Sequence, residues 1–276
     1  MLLRTITGLS LLISGVTFAV CDLSLWLLPV LFAGCYLALL LLAFLVFCLF
    51  GWAVDMDKPQ ERDSKLYRTV AHLYIEALIH LVGLKMEVAG LEKTPGDGRM
   101  LLVCNHQNES DPGILMHYFK NCQLAFIAKK EARNMFMVGK FMHKLMCQLV
   151  NRENDREALK CILKCIQLLK EDEVSIGAFP EGGIFEKDKL HHFRSGMFKI
   201  AQKAKVPIVV CTLKGTSDLF HNMKRLKPTH VRLHLVDVIS AEEVAAANTV
   251  ELAEKIYAMM LADLGPEYAP EQTETT

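Results

Sequence analysis

The segment CNHQNESD, residues 104–111, sets His106 five positions ahead of Asp111, directly after the apolar run Met100-Leu101-Leu102-Val103. Four intervening residues let a chain leaving a strand turn back on itself. The carboxylate can then accept a hydrogen bond from one imidazole nitrogen and leave the other as a base, which is two-thirds of a nucleophilic triad. The third member is missing. There is no GxSxG, Ser110 is embedded between the pair, and strand alternation aims Cys104 away from a pocket at the strand end. A base without its own nucleophile implies that the substrate supplies the hydroxyl. The spacing alone also permits a plain polar turn, with Asp111 capping a helix. A second stretch, FPEGG at 179–183, follows another apolar run and joins a proline-fixed turn to an acid and two glycines, a form suited to close approach of backbone and ligand. Charge is the third concentration. Residues 120–152 hold Lys120, Lys129, Lys130, Arg133, Lys140, Lys144 and Arg152 against Glu131 alone, a surface for anionic headgroups or phosphates.

These groups need a scaffold, and the hydrophobic periodicity describes one. Residues 60–82 carry Leu66, Val70, Leu73, Ala77 and Leu81 at helical spacing and stop at Gly83. Short apolar strands are predicted at 84–88, 100–104, 124–128, 174–179, 206–213 and 231–236. Between them come helices from Asp111 to about 119, a Met-rich stretch to 147, and a helix opened by a capping box at Asn154 and Glu157, with Ala158, Ile162, Ile166 and Leu169 on one face. Two more helices follow, near 196–204 and at 250–264. Strands apolar on both faces, alternating with helices, predict an α/β fold with a mostly parallel central sheet covered by helices. Ligands gather at the strand ends of such sheets, where His106 falls. The adjacent His191 and His192 lack further ligands at metal spacing, and no metal site is expected.

Residues 1–57 have a different composition. Only Arg4, Asp22, Asp55 and Asp57 are charged there. The uncharged run 23–54 exceeds the length of helix, roughly 20 residues, that crosses a bilayer. The expected form is an N-terminal hydrophobic helical hairpin, since Phe18-Ala19-Val20-Cys21 makes a poor cleavage site. Lys58, Arg62, Lys65 and Arg68 follow it and Arg4 precedes it, so the positive-inside bias predicts an integral membrane protein with its soluble part on the cytoplasmic face. Nine cysteines without a CxxC agree with a reducing compartment, and the net charge of +0 speaks against a nucleic-acid partner. The chain thus divides into anchoring helices at 1–57, an α/β domain at 58–265 and a polar tail at 266–276 expected to be disordered.

Taken together, NHQNESD and FPEGG resemble the NHxxxxD and FPEG blocks of the glycerophospholipid acyltransferases, in particular the 1-acylglycerol-3-phosphate acyltransferases (PlsC-like). Further blocks fall in the same order: FIAKKE at 126–131, LVNR at 149–152, FRSG at 193–196 and VPIV at 206–209. The resemblance covers about residues 98–216. It implies a membrane-bound enzyme that moves a fatty acyl group from acyl-CoA or acyl carrier protein to the free glycerol hydroxyl of 1-acylglycerol 3-phosphate, giving phosphatidic acid, with no cofactor beyond that co-substrate. His106 and Asp111 would be catalytic. Arg152 and Lys129 would grip the phosphate, Glu181 would hold a substrate hydroxyl or shape its loop, and backbone N–H groups near Gly182 and Gly183 would meet the oxyanion. Two departures bear on the acceptor. Gly183 and Ile184 stand where many members continue FPEG with Thr and Arg, and Asn151 replaces an acid before the second-block arginine. Either Arg194 and Lys129 supply the missing charge, or the acceptor is another lysolipid, a lyso-aminolipid or glycerol 3-phosphate. A non-catalytic lipid-binding membrane protein is the alternative from another class.

Overall fold

The computed structural model describes residues 1–151 and 154–270. Helices α1 (Leu2–Val20) and α2 (Leu28–Trp52) form the hairpin, and both are long and apolar enough to cross a membrane. Ser10 and Ser14 are buried on α1, where their hydroxyls donate to Ile6 O and Ser10 O at 2.7 Å each. The last turns of α2 rest on the following domain. Helix α3 (Lys65–Leu81) runs back along them, with Tyr67 Oη donating to Phe50 O at 3.0 Å and Tyr74 Oη to Ala43 O at 2.6 Å. Gly51 of α2 makes room for Met137, whose Sδ occupies the space that a Cβ at that position would need.

Seven strands follow: β1 (Leu84–Ala89), β2 (Leu101–Cys104), β3 (Leu124–Lys129), β4 (Gln148–Val150), β5 (Ser175–Ala178), β6 (Ile208–Lys214) and β7 (Thr229–Ile239). They form one sheet in the order β1-β7-β6-β2-β5-β3-β4, parallel throughout except between β6 and β7. Successive residues enter opposite cores. Leu101 and Val103 pack with Cys161, Cys165 and Leu168 of α6 (Asp155–Lys170), Ile200 of α7 (Lys199–Ala204), Val244 of α9 (Ala241–Ala246) and Ile256 of α10 (Thr249–Leu264). Leu102 and Cys104 pack with Ala71 and Ile79 of α3, Leu115 of α4 (Asp111–Tyr118), Phe141 of α5 (Val138–Lys144) and Leu219 of α8 (Leu219–Lys224). The predicted mostly parallel sheet behind a helical hairpin is the observed architecture.

Several local expectations shift. The three-residue edge strand β4 is new. On α3 the buried residues are Arg68, Ala71, Ala77 and Ile79, while Leu66 and Leu81 are exposed, because α3 is gripped from two sides and no single apolar stripe describes it. Helix α6 buries Cys161, Cys165, Leu168 and Leu169; of the predicted stripe Leu169 is buried and Ile162 and Ile166 pack half-buried beside it, so the face is turned slightly from the predicted one. Asn154 caps that helix through the Arg156 and Glu157 N–H groups, but its own N–H goes to Asn151 O, so the reciprocal half of the capping box is replaced. Residues 266–270 are part of the folded domain. Tyr268 is only 2 % exposed, and its carbonyl accepts from Leu190 N at 2.8 Å. Its ring supplies the apolar area that the polar composition of the tail conceals.

Candidate active site

The strands β6, β2, β5, β3 and β4 run in one direction, so their C-terminal ends share one edge. At that edge Asn105 extends the β2–β6 ladder with its side chain. Its Nδ2 donates to Leu213 O at 2.8 Å and its Oδ1 accepts from Leu213 N at 2.7 Å. Strand β2 can therefore leave the sheet without orphaning the backbone of its neighbour. His106 then folds over the end of β5. Its ring lies on Phe179, with centroids 4.0 Å apart and planes 15° apart, and Phe179 in turn stacks on Phe126 at 5.6 Å. Gly177 makes this stack possible, since a Cβ there would run into the Phe126 ring.

Asp111 opens α4 and is fully buried. Its Oδ2 accepts from His106 Nδ1 at 2.9 Å and from the Gln107 and Asn108 N–H groups at 2.7 and 2.8 Å. Three donors on one oxygen fix the carboxylate. The carboxylate fixes the imidazole with its proton on Nδ1, which leaves Nε2 as the acceptor nitrogen. The His106 side chain is 16 % exposed, enough to meet a ligand from the solvent side.

Glu181 spends both carboxylate oxygens on backbone. Oε1 accepts from His106 N at 2.8 Å and Oε2 from His191 N at 2.9 Å. It is 4 % exposed, and burial pushes its carboxyl up to about 7 against the pull of those two bonds, with the Asp111 charge adding to the rise. The side chain thus ties the histidine loop to the 190s segment. The FPEG turn closes through Gly182 N, which donates to Phe179 O at 3.0 Å. The turn therefore consumes the Gly182 N–H expected to meet an oxyanion, and Gly183 offers the remaining amide of the two. Gly182 sits at φ +82°, and the Arg194 side chain crosses it so closely that a Cβ would lie 2.7 Å from Nε.

The other expected residues lie further along the edge. Lys129 ends β3 opposite Val150 and is exposed. Its strand is two places from β2, which is roughly 10 Å sideways. Arg152 lies outside the described residues. Part of the basic stretch is spent on tethering: Arg133 pairs with Asp57 at 3.0 Å, and Lys144 donates to Gln60 Oε1 at 2.8 Å. Cys104 is buried, and desolvation raises its thiol well above the ordinary range, so it is no nucleophile. A second imidazole–carboxylate pair, His234 and Asp263 at 2.6 Å, is closed by Thr212 and Arg232 on the same carboxylate and fastens α10 to β6 and β7.

Sequence reasoning did not find Asn105, Gly177 or the Phe126–Phe179 support. Gly177 inside an apolar strand was the available signal, because a strand glycine marks a close approach of some other group.

A mostly parallel sheet carries an imidazole–carboxylate pair at its strand ends, with no serine or cysteine hydrogen-bonded to the imidazole among the described residues, an arrangement suited to transfer onto a hydroxyl that the substrate brings. Residues 85–214 match the sequence model of the family described as Acyltransferase. The chain is 29 % identical over 177 residues to a probable 1-acyl-sn-glycerol-3-phosphate acyltransferase of Mycoplasma pneumoniae, a match spanning 63 % of this chain and 64 % of that protein. It is 26 % identical over 228 residues to the 1-acyl-sn-glycerol-3-phosphate acyltransferase of Salmonella typhimurium, covering 82 % of this chain and 91 % of that one. The fold is shared with the crystal structure of the 1-acyl-sn-glycerophosphate acyltransferase PlsC from Thermotoga maritima, at a TM-score of 0.62 and 21 % identity over 80 % of this chain and 87 % of that one. Across residues 85–214 the chain is thus similar to the Acyltransferase family, and the relatives it resembles are of the PlsC-like kind.

Proposed function

We propose that this protein transfers a fatty acyl group from acyl-CoA or acyl carrier protein to the free glycerol hydroxyl of 1-acylglycerol 3-phosphate, giving phosphatidic acid. The observation that carries the reading is the His106 ring, held through Nδ1 by the buried Asp111 at 2.9 Å with Nε2 left for a substrate. Nε2 takes the hydroxyl proton as the oxygen attacks the thioester carbonyl. The tetrahedral intermediate collapses, the carbon–sulfur bond breaks, and the leaving thiolate receives the proton from the imidazolium. General-base assistance of this kind is worth about 10² to 10⁴ in rate. No acyl-enzyme forms.

Glu181 and Asp111 act as positioning residues. The acceptor phosphate is gripped by charge-assisted hydrogen bonds. Arg194 supports this assignment, because its guanidinium crosses Gly182 at the turn where the family pattern supplies an arginine after FPEG. Lys129 and Arg152 complete the cationic set. The hairpin anchors the domain, and the basic residues after it favour the cytoplasmic face.

A second acceptor class keeps one supporting observation: Ile184, exposed after the turn together with its neighbour Phe185, is apolar where the pattern has the arginine. A panel of lysolipids and glycerol 3-phosphate with one labelled acyl donor tests the choice, run on wild type, Arg152→Ala and Arg194→Ala. The expected result is preference for 1-acylglycerol 3-phosphate, with KM for that acceptor raised in both variants. Equal use of a phosphate-free lysolipid, unchanged by either substitution, overturns it.

A further inference from the structure

The α8–β7 loop holds a leucine in water under conditions that a soluble domain would avoid. Leu226 is 95 % exposed and adopts φ +52°. Side chains other than glycine seldom take that region. The loop is well formed. Arg225 N and Lys227 N both donate to Asn222 O at 3.0 Å, and Leu226 N donates to Met223 O at 3.1 Å, so the backbone itself presents the side chain. Phe220 and Met223 of α8 are exposed beside it, and Lys224, Arg225 and Lys227 are exposed around it. An apolar tip ringed by cations is the composition of a segment that enters the boundary between headgroups and acyl chains.

Its position in the fold points the same way. Three residues after Leu226, Thr229 N donates to Gly83 O at 3.1 Å, so the loop meets the end of α3. Helix α3 is antiparallel to the last turns of α2, because Tyr67 meets Phe50 and Tyr74 meets Ala43. Leu81 closes α3 seven positions beyond Tyr74. At the helical rise it lies about 10 Å further toward the hairpin tip. The apolar helical stretch is Leu25–Trp52. Any segment of about 20 residues chosen from it to cross the hydrocarbon contains Ala43. The end of α3 and the loop beside it thus stand at bilayer depth whichever residues span.

We propose that residues 220–227 are a second membrane contact. Leu226, Phe220 and Met223 enter the acyl boundary, while Lys224, Arg225 and Lys227 meet anionic headgroups. The inference rests on the hairpin lying in the bilayer, and single tryptophan probes separate the two claims. In a full-length Trp26→Phe, Trp52→Phe background, Phe44→Trp, Leu226→Trp and Val250→Trp are each reconstituted in phosphatidylcholine vesicles with and without phosphatidylglycerol, and quenched by brominated lipid. The expected result is strong quenching and a blue-shifted maximum for the probes at 44 and 226, none at 250, and deeper quenching at 226 with phosphatidylglycerol. Adding Lys224→Glu, Arg225→Glu and Lys227→Glu is expected to abolish that lipid dependence. Quenching at 44 with water-like emission at 226 overturns the second contact and leaves the hairpin in place. Water-like emission at both overturns the two together, and quenching at 250 equal to that at 226 shows that the loop has no special contact.

Discussion

Replacing Asp111 by Asn keeps the shape of the carboxylate and removes its charge. Oδ2 receives three donors, so the amide oxygen must occupy that place, and the new NH₂ falls where Oδ1 is buried with no hydrogen-bond partner. Leaving a buried donor unpaired costs about 1–3 kcal/mol, and each of the three bonds weakens as a charged acceptor becomes neutral. A stability loss of roughly 3 kcal/mol is expected, readable as a lowered Tm in detergent. The larger effect is on the rate. The imidazolium formed when His106 takes a proton loses a negative charge 2.9 Å away. The expected fall in kcat is about 10² to 10⁴, with KM nearly unchanged. Because the pair acts as one unit, Asp111→Asn in a His106→Ala background should cost almost nothing more. Transfer of labelled acyl groups by wild type, both single variants and the double variant, each normalised to folded protein, decides it. Multiplication of the two single losses in the double variant would refute the claim that Asp111 works through His106.

Glu181, raised to about 7 mainly by burial, binds a proton more readily in the folded chain than in the unfolded one, so its stability contribution is full below its ordinary range and is lost as pH climbs through 7. The Tm of the wild type should therefore fall between pH 5 and 8 by more than that of Glu181→Gln, which does not titrate; parallel curves would count against a raised carboxyl. Gly177→Val should drive a methyl into the Phe126 ring. The cost is about 1–3 kcal/mol with a lowered kcat, and Phe126→Leu in the same chain should recover part of both. Arg68 is buried with its guanidinium on both Asp63 oxygens at 2.7 Å and on Leu124 O at 2.9 Å. Arg68→Met should cost about 3–5 kcal/mol by stranding Asp63, and Asp63→Asn added to it should restore stability; a Tm unchanged by Arg68→Met would show the pair to be idle.

Strands β2, β5 and β6 are buried on both faces, so a run such as Met100 to Cys104 has nothing polar to interrupt it; β1 and β7 were legible as well, although their residues alternate between buried and exposed. β4 escaped because its three residues are only half buried at the sheet edge. Helix faces were read less well than helix positions. α3 touches α2 on one side and the sheet on the other, and it buries Arg68, a residue that periodicity assigns to solvent. The His106–Asp111 pair was legible because both members sit in one turn. The supports of the pair were not. Asn105 contacts Leu213 and Glu181 contacts His106 across 108 and 75 residues of chain, distances that no local spacing records. Tyr268 was hidden for the opposite reason, a single ring inside a polar terminal stretch.

The two outer strands of the sheet carry a further consequence. β4 offers only three residues to a partner strand, and β1 turns the exposed charges of Lys85 and Glu87 outward along its length. Short and charged borders resist strand addition from a neighbouring molecule. Crowded on a two-dimensional surface, copies of this protein are thereby discouraged from zipping their sheets together, and any self-association is directed toward helix faces instead.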